Sequence, residues 1–383
     1  MKNFVVYNGG VKLFFGLNTI SSVEKFLIGK KKMLIVTGRS SAERSGALND
    51  IINILDKNGV EYVVWNRAEP NPSDRLVYDL VETWRNSVFD GFIAIGGGSV
   101  IDLVKACRVV VSSGGDIRDY LYGFRKPVDN QYFMLAVNLT HGTGSEIDRY
   151  SVITIEETME KIGFNAGYPT VSIDDPKYTI TLPLNQSIYV TMDAFAHAVE
   201  SATSIYSSPY TELLALETTR LIIEYLPKLV RELGNVEYRY WLLYASMLGG
   251  IGIDHGSAHI GHFIEHLLSG YNPKLPHGAG LAILYRKLVE LIYRENPDTT
   301  CKLLKPLNPG LKPYPDYSIE ASKSYNEFLD SIGFREKLSD YGFSTDSLRD
   351  ILNLYDRMWS RFSERTSISL TKESLRELLN ELI

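Results

Sequence analysis

Five of the seven histidines in this 383-residue chain, His255, His259, His262, His266 and His277, crowd into one short stretch, and Pro276-His277-Gly278 closes it. Such clustering suggests a metal site, because neutral imidazole is the commonest transition-metal ligand and suits iron, zinc, nickel or copper. His262 and His266 stand four residues apart and so share one face of a helix. Two imidazoles alone make a poor cage, and a helix whose histidines bond to one another or to solvent would carry the same spacing. A second pair lies upstream in Met192-Asp193-Ala-Phe-Ala-His197-Ala-Val-Glu200, where Asp193 and His197 are one helical turn apart. A carboxylate and an imidazole so spaced make half of a mixed nitrogen and oxygen site, although a capping aspartate beside a surface histidine would read the same way. Together, Asp193 and His197 from one helix, His262 from another and His277 from the loop after it offer three nitrogens and one oxygen. That set fits Fe2+ or Zn2+ with a position open for a substrate oxygen; His259 or His266 could replace one member.

Ile93-Ala-Ile-Gly96-Gly97-Gly98-Ser99-Val-Ile-Asp102 reads as a strand running through three glycines into a helix. Glycines let the backbone approach a phosphate, and the free N–H groups and dipole at the helix start attract negative charge. A plain tight connection would use the same residues. The stretch Leu139-Thr140-His141-Gly142-Thr143-Gly144-Ser145-Glu146 also follows an apolar strand, and adds hydroxyls and backbone donors at the same sheet edge. Two such loops on one edge favour a nucleotide.

These residues need a frame, and the chain changes character near residue 180. Before it, Met33 to Thr37, Glu61 to Trp65, Phe92 to Ile95 and Phe133 to Val137 are apolar along their whole length, as strands covered on both faces are. Helix-period stretches at roughly 41–58, 73–87 and 99–111 alternate with them, which predicts repeated βα units and a doubly wound domain over 1–180. After Pro183 strand signals nearly vanish, and 181–383 is expected to be a helical domain, with helices over Tyr210 to Leu233, Glu237 to Leu248 and Ser347 to Trp359. Ser208-Pro209 is a helix start, serine as cap and proline in the first turn. Leu307 to Pro315 reads as a rigid connector between helices.

Composition excludes several classes. A net charge of −6 offers no broad basic field for nucleic acid or an anionic membrane. Lys30-Lys31-Lys32 reads as a solvated strand entry. Cys107 and Cys301 cannot build a disulfide framework or a paired metal site and read as buried small residues. The first residues lack a signal-peptide apolar region, and no run approaches 18 apolar residues, so the protein is expected in the cytoplasm.

The motifs resemble those of the iron-containing (group III) alcohol dehydrogenases. Gly96 to Asp102, Gly142 to Glu146, Asp175-Pro176, Met192 to Glu200, His262 to His266 and Pro276 to Gly280 occur in the family order, from about residue 33 to 284, whereas the last hundred residues carry little signature. The resemblance implies an α/β N-terminal nucleotide-binding domain with a parallel sheet, an all-α C-terminal domain in the dehydroquinate synthase-like arrangement, a metal in the cleft between them, and a homodimer. It implies Asp193, His197, His262 and His277 as ligands, with His266 a nearby histidine facing the nicotinamide and the reacting oxygen. Asn71, Gly97, Gly98, Ser99, Asp102, Thr140, Thr143 and Lys161 would line the coenzyme. Where many NAD-using relatives carry an aspartate after the first strand, this chain reads Thr37-Gly38-Arg39-Ser40-Ser41, which would accept a 2′-phosphate rather than repel it. NADP(H) is therefore expected over NAD(H), although a turn and helix cap would read alike. Asn138 and His141 stand where the family usually has proline and alanine. The expected reaction is hydride exchange between NADP(H) and a small alcohol or its aldehyde or ketone. Other readings are a glycerol- or polyol-type dehydrogenase of the same superfamily, and a zinc peptidase using His262-x-x-Glu265-His266, which leaves the glycine loops, Asp193 and His197 unexplained.

Overall fold

The computed structural model describes residues 1–383, the side chain of Val5 excepted. The chain forms two compact units, Met1–Leu182 with Gly234–Leu243, and Pro183–Leu233 with Tyr244–Ile383. The stretch 234–243, expected in the helical half, thus belongs to the first unit. Its side chains explain why: Tyr240 meets Phe15 edge-on at 5.1 Å and donates to the Lys2 carbonyl at 2.8 Å, and Arg239 is fully buried.

In the first unit, nine strands run β1 (Phe4–Asn8), β2 (Val11–Phe15), β3 (Lys32–Gly38), β4 (Glu61–Ala68), β5 (Gly91–Gly96), β6 (Phe133–Asn138), β7 (Tyr150–Ile155), β8 (Glu160–Asn165) and β9 (Val171–Asp174). Seven form a sheet in the order β1-β2-β9-β6-β5-β3-β4, parallel except for the β1–β2 pair, while β7 and β8 make a separate hairpin. Three of the four continuous apolar runs follow from the two faces of this sheet; the Glu61–Trp65 run does not, because β4 is an edge strand that leaves Val63 and Val64 exposed. Leu34, Val36, Phe92, Ala94, Met134 and Ala136 enter one core with helices α2 (Asp74–Arg85) and α3 (Gly98–Ser113); Met33, Ile35, Ile93, Ile95, Leu135 and Val137 enter another with α1 (Ala47–Lys57). β3 has β4 on one side and β5 on the other, so strand order reverses there. In open α/β sheets ligands bind beyond the carboxyl ends of strands at such a reversal. Gly38 ends β3 and Gly96 ends β5.

The second unit is helical. It contains α4 (Leu184–Thr203), α5 (Pro209–Arg231), the later part of α6 (Val236–Gly256), α7 (Ile260–Tyr271), α8 (His277–Glu295) and α9 (Leu348–Met358). Ser208 caps α5 through the Thr211 N–H, with Pro209 in the first turn. α4 packs on α5 and α8, and α7 on α8. Every residue of α4 from Thr191 to Thr203 is buried, as is every residue of α7 from Ile260 to Gly270. A helix apolar on all sides suits such a place. Any polar residue there must find a partner or a ligand, and α4 and α7 carry Asp193, His197, Glu200, His262, Glu265 and His266.

Candidate functional site

The four expected metal ligands come together within the second unit. Asp193 and His197 lie one turn apart on α4, His262 is on α7, and His277 is the first residue of α8 rather than part of a loop, with Pro276 as its cap. Gly278 is required beside it, since a Cβ there would lie 1.9 Å from the Tyr189 carbonyl oxygen. The Nε2 atoms of His197, His262 and His277 stand 3.4, 3.5 and 3.5 Å from Asp193 Oδ1. The His197 and His262 rings stack at 4.7 Å. Asp193, His262 and His277 offer atoms within 4.8 Å of one another. Asp193 Oδ1 and His262 Nε2 are buried without a hydrogen-bond partner. A polar atom left so costs on the order of 1–3 kcal/mol, and a shared cation satisfies both at once. Three nitrogens and one oxygen fit Fe2+ or Zn2+.

Two carboxylates hold these imidazoles from behind. Glu200, fully buried on α4, accepts from His262 Nδ1 and the His262 N–H, each at 3.1 Å, from the Tyr285 hydroxyl at 3.2 Å and from the His259 N–H. Glu265 on α7 pairs with His277 Nδ1. Each leaves an Nε2 directed at Asp193, the outer-shell arrangement that orients metal-binding histidines. Burial opposes charge on Asp193 and Glu200, yet the neighbouring imidazoles outweigh it and hold both well below the usual carboxylate range. Burial also opposes a charged His262, but Glu200 and Asp193 lift it to about 10, whereas for His197 burial wins and it falls to about 4. A cation bound at His262 Nε2 would take the place of that ring's proton beside the anionic Asp193.

The other histidines separate by position. His266 is buried on α7, its ring 5.8 Å from that of His277 and 6.3 Å from that of His262, and with Glu265 and His277 it forms a second group whose atoms lie within 4.8 Å of one another. His259 Nε2 lies 3.0 Å from Thr203 Oγ1, while His255 is exposed and edge-on to Tyr210 at 5.4 Å. The pairing of Glu265 with His277 also removes it from the general-base role that a peptidase reading requires.

The expected coenzyme residues gather in the first unit at the strand ends. Gly97 caps α3 and Gly98 begins it. Neither has a positive φ; space demands glycine, because a Cβ on Gly97 would lie 2.7 Å from Thr140 Cγ2 and one on Gly98 2.5 Å from Thr143 Cγ2. The two glycine loops therefore touch. Asn71, at a φ of 50°, accepts from Lys161 Nζ at 3.0 Å. Gly38 ends β3 and Ser40 precedes the short helix Ser41–Arg44, with the Arg39 side chain 81% exposed and paired to Glu69 at 3.1 Å. Glu69 was not foreseen, since only the pairing of β3 with β4 brings it there. Asp102, also expected along the coenzyme, is held by the first unit's own groups. Its oxygens accept from Ser145 Oγ at 2.5 Å and the Val152 N–H at 2.9 Å, which braces the second glycine loop against α3. Beside it, the buried Lys105 binds Ser145, Asp148 and the Tyr150 carbonyl, a brace the sequence reading missed.

Residues 10–176 match the iron-containing alcohol dehydrogenase family, and residues 187–382 match the C-terminal part of the Fe-containing alcohol dehydrogenase family. The chain belongs to the iron-containing alcohol dehydrogenase family and is an oxidoreductase of the alcohol dehydrogenase class. It is 35% identical over 348 residues to the long-chain primary alcohol dehydrogenase of Thermoanaerobacter ethanolicus, covering 89% of this chain and 87% of that one. It is 31% identical over 389 aligned positions to the probable NADH-dependent butanol dehydrogenase 1 of Bacillus subtilis, covering 99% of both. Among solved structures, the NADH-dependent butanol dehydrogenase A of Thermotoga maritima superimposes with a TM-score of 0.88 at 27% identity, covering 100% of this chain and 99% of that one. Among the described residues, no helix is long and apolar enough to cross a membrane.

Proposed function

We propose that this chain exchanges hydride between NADP(H) and a small primary alcohol or the corresponding aldehyde, as a cytoplasmic homodimer, with Asp193, His197, His262 and His277 holding Fe2+ or Zn2+. The convergence of three imidazole nitrogens on Asp193 Oδ1 carries the reading. When bound, a divalent ion there acts as a Lewis acid that eases loss of the alcohol proton. The chain supplies the rest. Asp193 contributes a single negative charge, so the set keeps a net positive charge around a divalent ion. Glu200 and Glu265 fix the ring orientation of His262 and His277. His266, beside the set, moves the released proton at a ring nitrogen. Thr140, Thr143 and the α3 N-terminus at Gly97, Gly98 and Ser99 bind the coenzyme pyrophosphate, and Asn71 and Lys161 flank it.

The coenzyme choice rests on Gly38, Arg39, Ser40 and Ser41, a turn without an acid. Arg39 would leave Glu69 for a 2′-phosphate, which matches its planar fork better. Names of relatives specify NADH and primary alcohols, butanol among them. They support the substrate class and make the coenzyme the sharpest point of test. Metal analysis of the purified protein, with alcohol and aldehyde panels run with both coenzymes, tests the whole. Protein that binds neither ferrous nor zinc ions at these residues overturns it.

A further inference from the structure

Asn138 ends β6 and His141 lies on the loop that follows, and both side chains are buried. Asn138 accepts from the Thr140 N–H at 3.0 Å and hydroxyl at 3.2 Å, and donates to Asp174 at 3.0 Å. His141 is fully buried with Nε2 2.9 Å from Arg239 Nη1. Burial, reinforced by the guanidinium, holds the imidazole well below its ordinary pKa, so the neutral ring accepts from Arg239. Arg239 is itself fully buried and donates through Nη2 to the Leu182 carbonyl at 3.1 Å. Its planar fork reaches two acceptors at once, which a lysine could not do. The same loop presses Thr140 and Thr143 against Gly97 and Gly98.

We propose that Arg239 and His141 form a positioning pair that holds the Thr140–Gly144 loop in the shape that receives the coenzyme pyrophosphate, an inference that rests on the reading of this loop as a coenzyme contact. Both side chains are fully buried, so they act through the loop and not by touching the coenzyme. They act by ordering the loop in advance, because a loop that must be ordered on binding subtracts that cost from affinity and not from the chemical step. The pyrophosphate is common to both coenzymes, so the pair affects NADPH and NADH alike, unlike the turn at Gly38.

The full-length protein is compared with His141→Ala, His141→Gln and Arg239→Lys by fluorescence titration with NADPH and NADH, by metal content and by steady-state kinetics. His141→Ala is expected to raise both coenzyme dissociation constants by about tenfold or more. Metal content should hold, and kcat at saturating coenzyme should fall far less than affinity. His141→Gln offers Arg239 a carbonyl oxygen and is expected to recover most of the loss. Arg239→Lys keeps the charge but loses the fork, so both constants should rise again, an arm that stands even if the alanine variant fails to fold. Unchanged constants in His141→Ala or Arg239→Lys overturn the proposal, as does a glutamine variant as weak as alanine, or loss of metal in step with coenzyme. Wild-type protein that binds neither coenzyme sinks the reading of the loop itself; wild-type binding with indifferent variants sinks only the pair.

Discussion

Replacing Glu200 by glutamine keeps the shape of a fully buried side chain and removes its charge, and the donors around it decide the cost. One carboxylate oxygen serves the His259 N–H and His262 Nδ1, the other the His262 N–H and the Tyr285 hydroxyl. An amide has one accepting oxygen, so its NH2 must face one of these pairs of donors. If it faces the first, the His259 N–H is stranded and His262 must present Nδ1 as acceptor, which moves its proton to Nε2, the atom directed at Asp193. If it faces the second, the hydroxyl can turn but the His262 N–H is stranded. A stranded buried donor costs on the order of 1–3 kcal/mol, and loss of an outer-shell partner typically weakens metal binding about 10–100-fold. Glu200→Gln is therefore expected to weaken zinc binding by about tenfold or more, measured by chelator competition, while NADPH affinity, set in the other unit, stays within about twofold. A variant that holds zinc as tightly as the wild type refutes the reasoning, because the carboxylate would then have no part in presenting His262.

His277→Ala should abolish both metal content and turnover while leaving NADPH titration intact; a variant with full activity removes His277 from the ligand set. Gly38→Asp meets only ordinary contacts, with Ser41 Oγ at 3.5 Å and the Ala68 carbonyl at 3.7 Å, so it should fold and should weaken NADPH selectively, by about tenfold, through repulsion of the 2′-phosphate. Unchanged NADPH affinity would reject the expected coenzyme preference. Burial raises the carboxyls of Asp174 and Glu146, and mutual repulsion raises Glu146 further. A folded-state pKa above the unfolded one means the native protein holds more protons, so stability is lost as pH climbs from about 4 towards neutrality. Asp174→Asn keeps an acceptor for the Asn138 amide and should flatten that fall, giving a higher Tm than wild type at pH 8. Parallel Tm profiles for variant and wild type would show that this carboxyl is not the source.

The parts of the fold readable in the chain were those with one dominant physical cause. β3, β5 and β6 announced themselves because both faces of each are covered, and α4 and α7 because their chemistry repeats with the helical turn. β9 hid because Ser172 and Asp174 break its apolar run, and β8 because Glu160 and Lys161 look like surface. Asp193, His197, His262 and His277 were legible from spacing. The task of Glu200 was not, although it ends the same motif, because its donors arrive from α7 and α8. The bonds that Asp102 makes were hidden for a related reason. Ser145 and the Val152 N–H reach it only through the packing of β7 beside α3, which no spacing along the chain announces.

The depth of α4 within its unit bears on how an ion could ever change places there. The side chains of Asp193, His197 and His262 are 3, 5 and 6% exposed, and that of His277 is 23% exposed. An ion held as proposed would be most open to solvent on the His277 side, at the start of α8. Exchange of such an ion is then expected to be slow compared with diffusion. The same gene expressed in iron-poor and iron-rich cells is then expected to give preparations of different metal composition that are slow to equilibrate in the tube, and metal analysis of the two checks this.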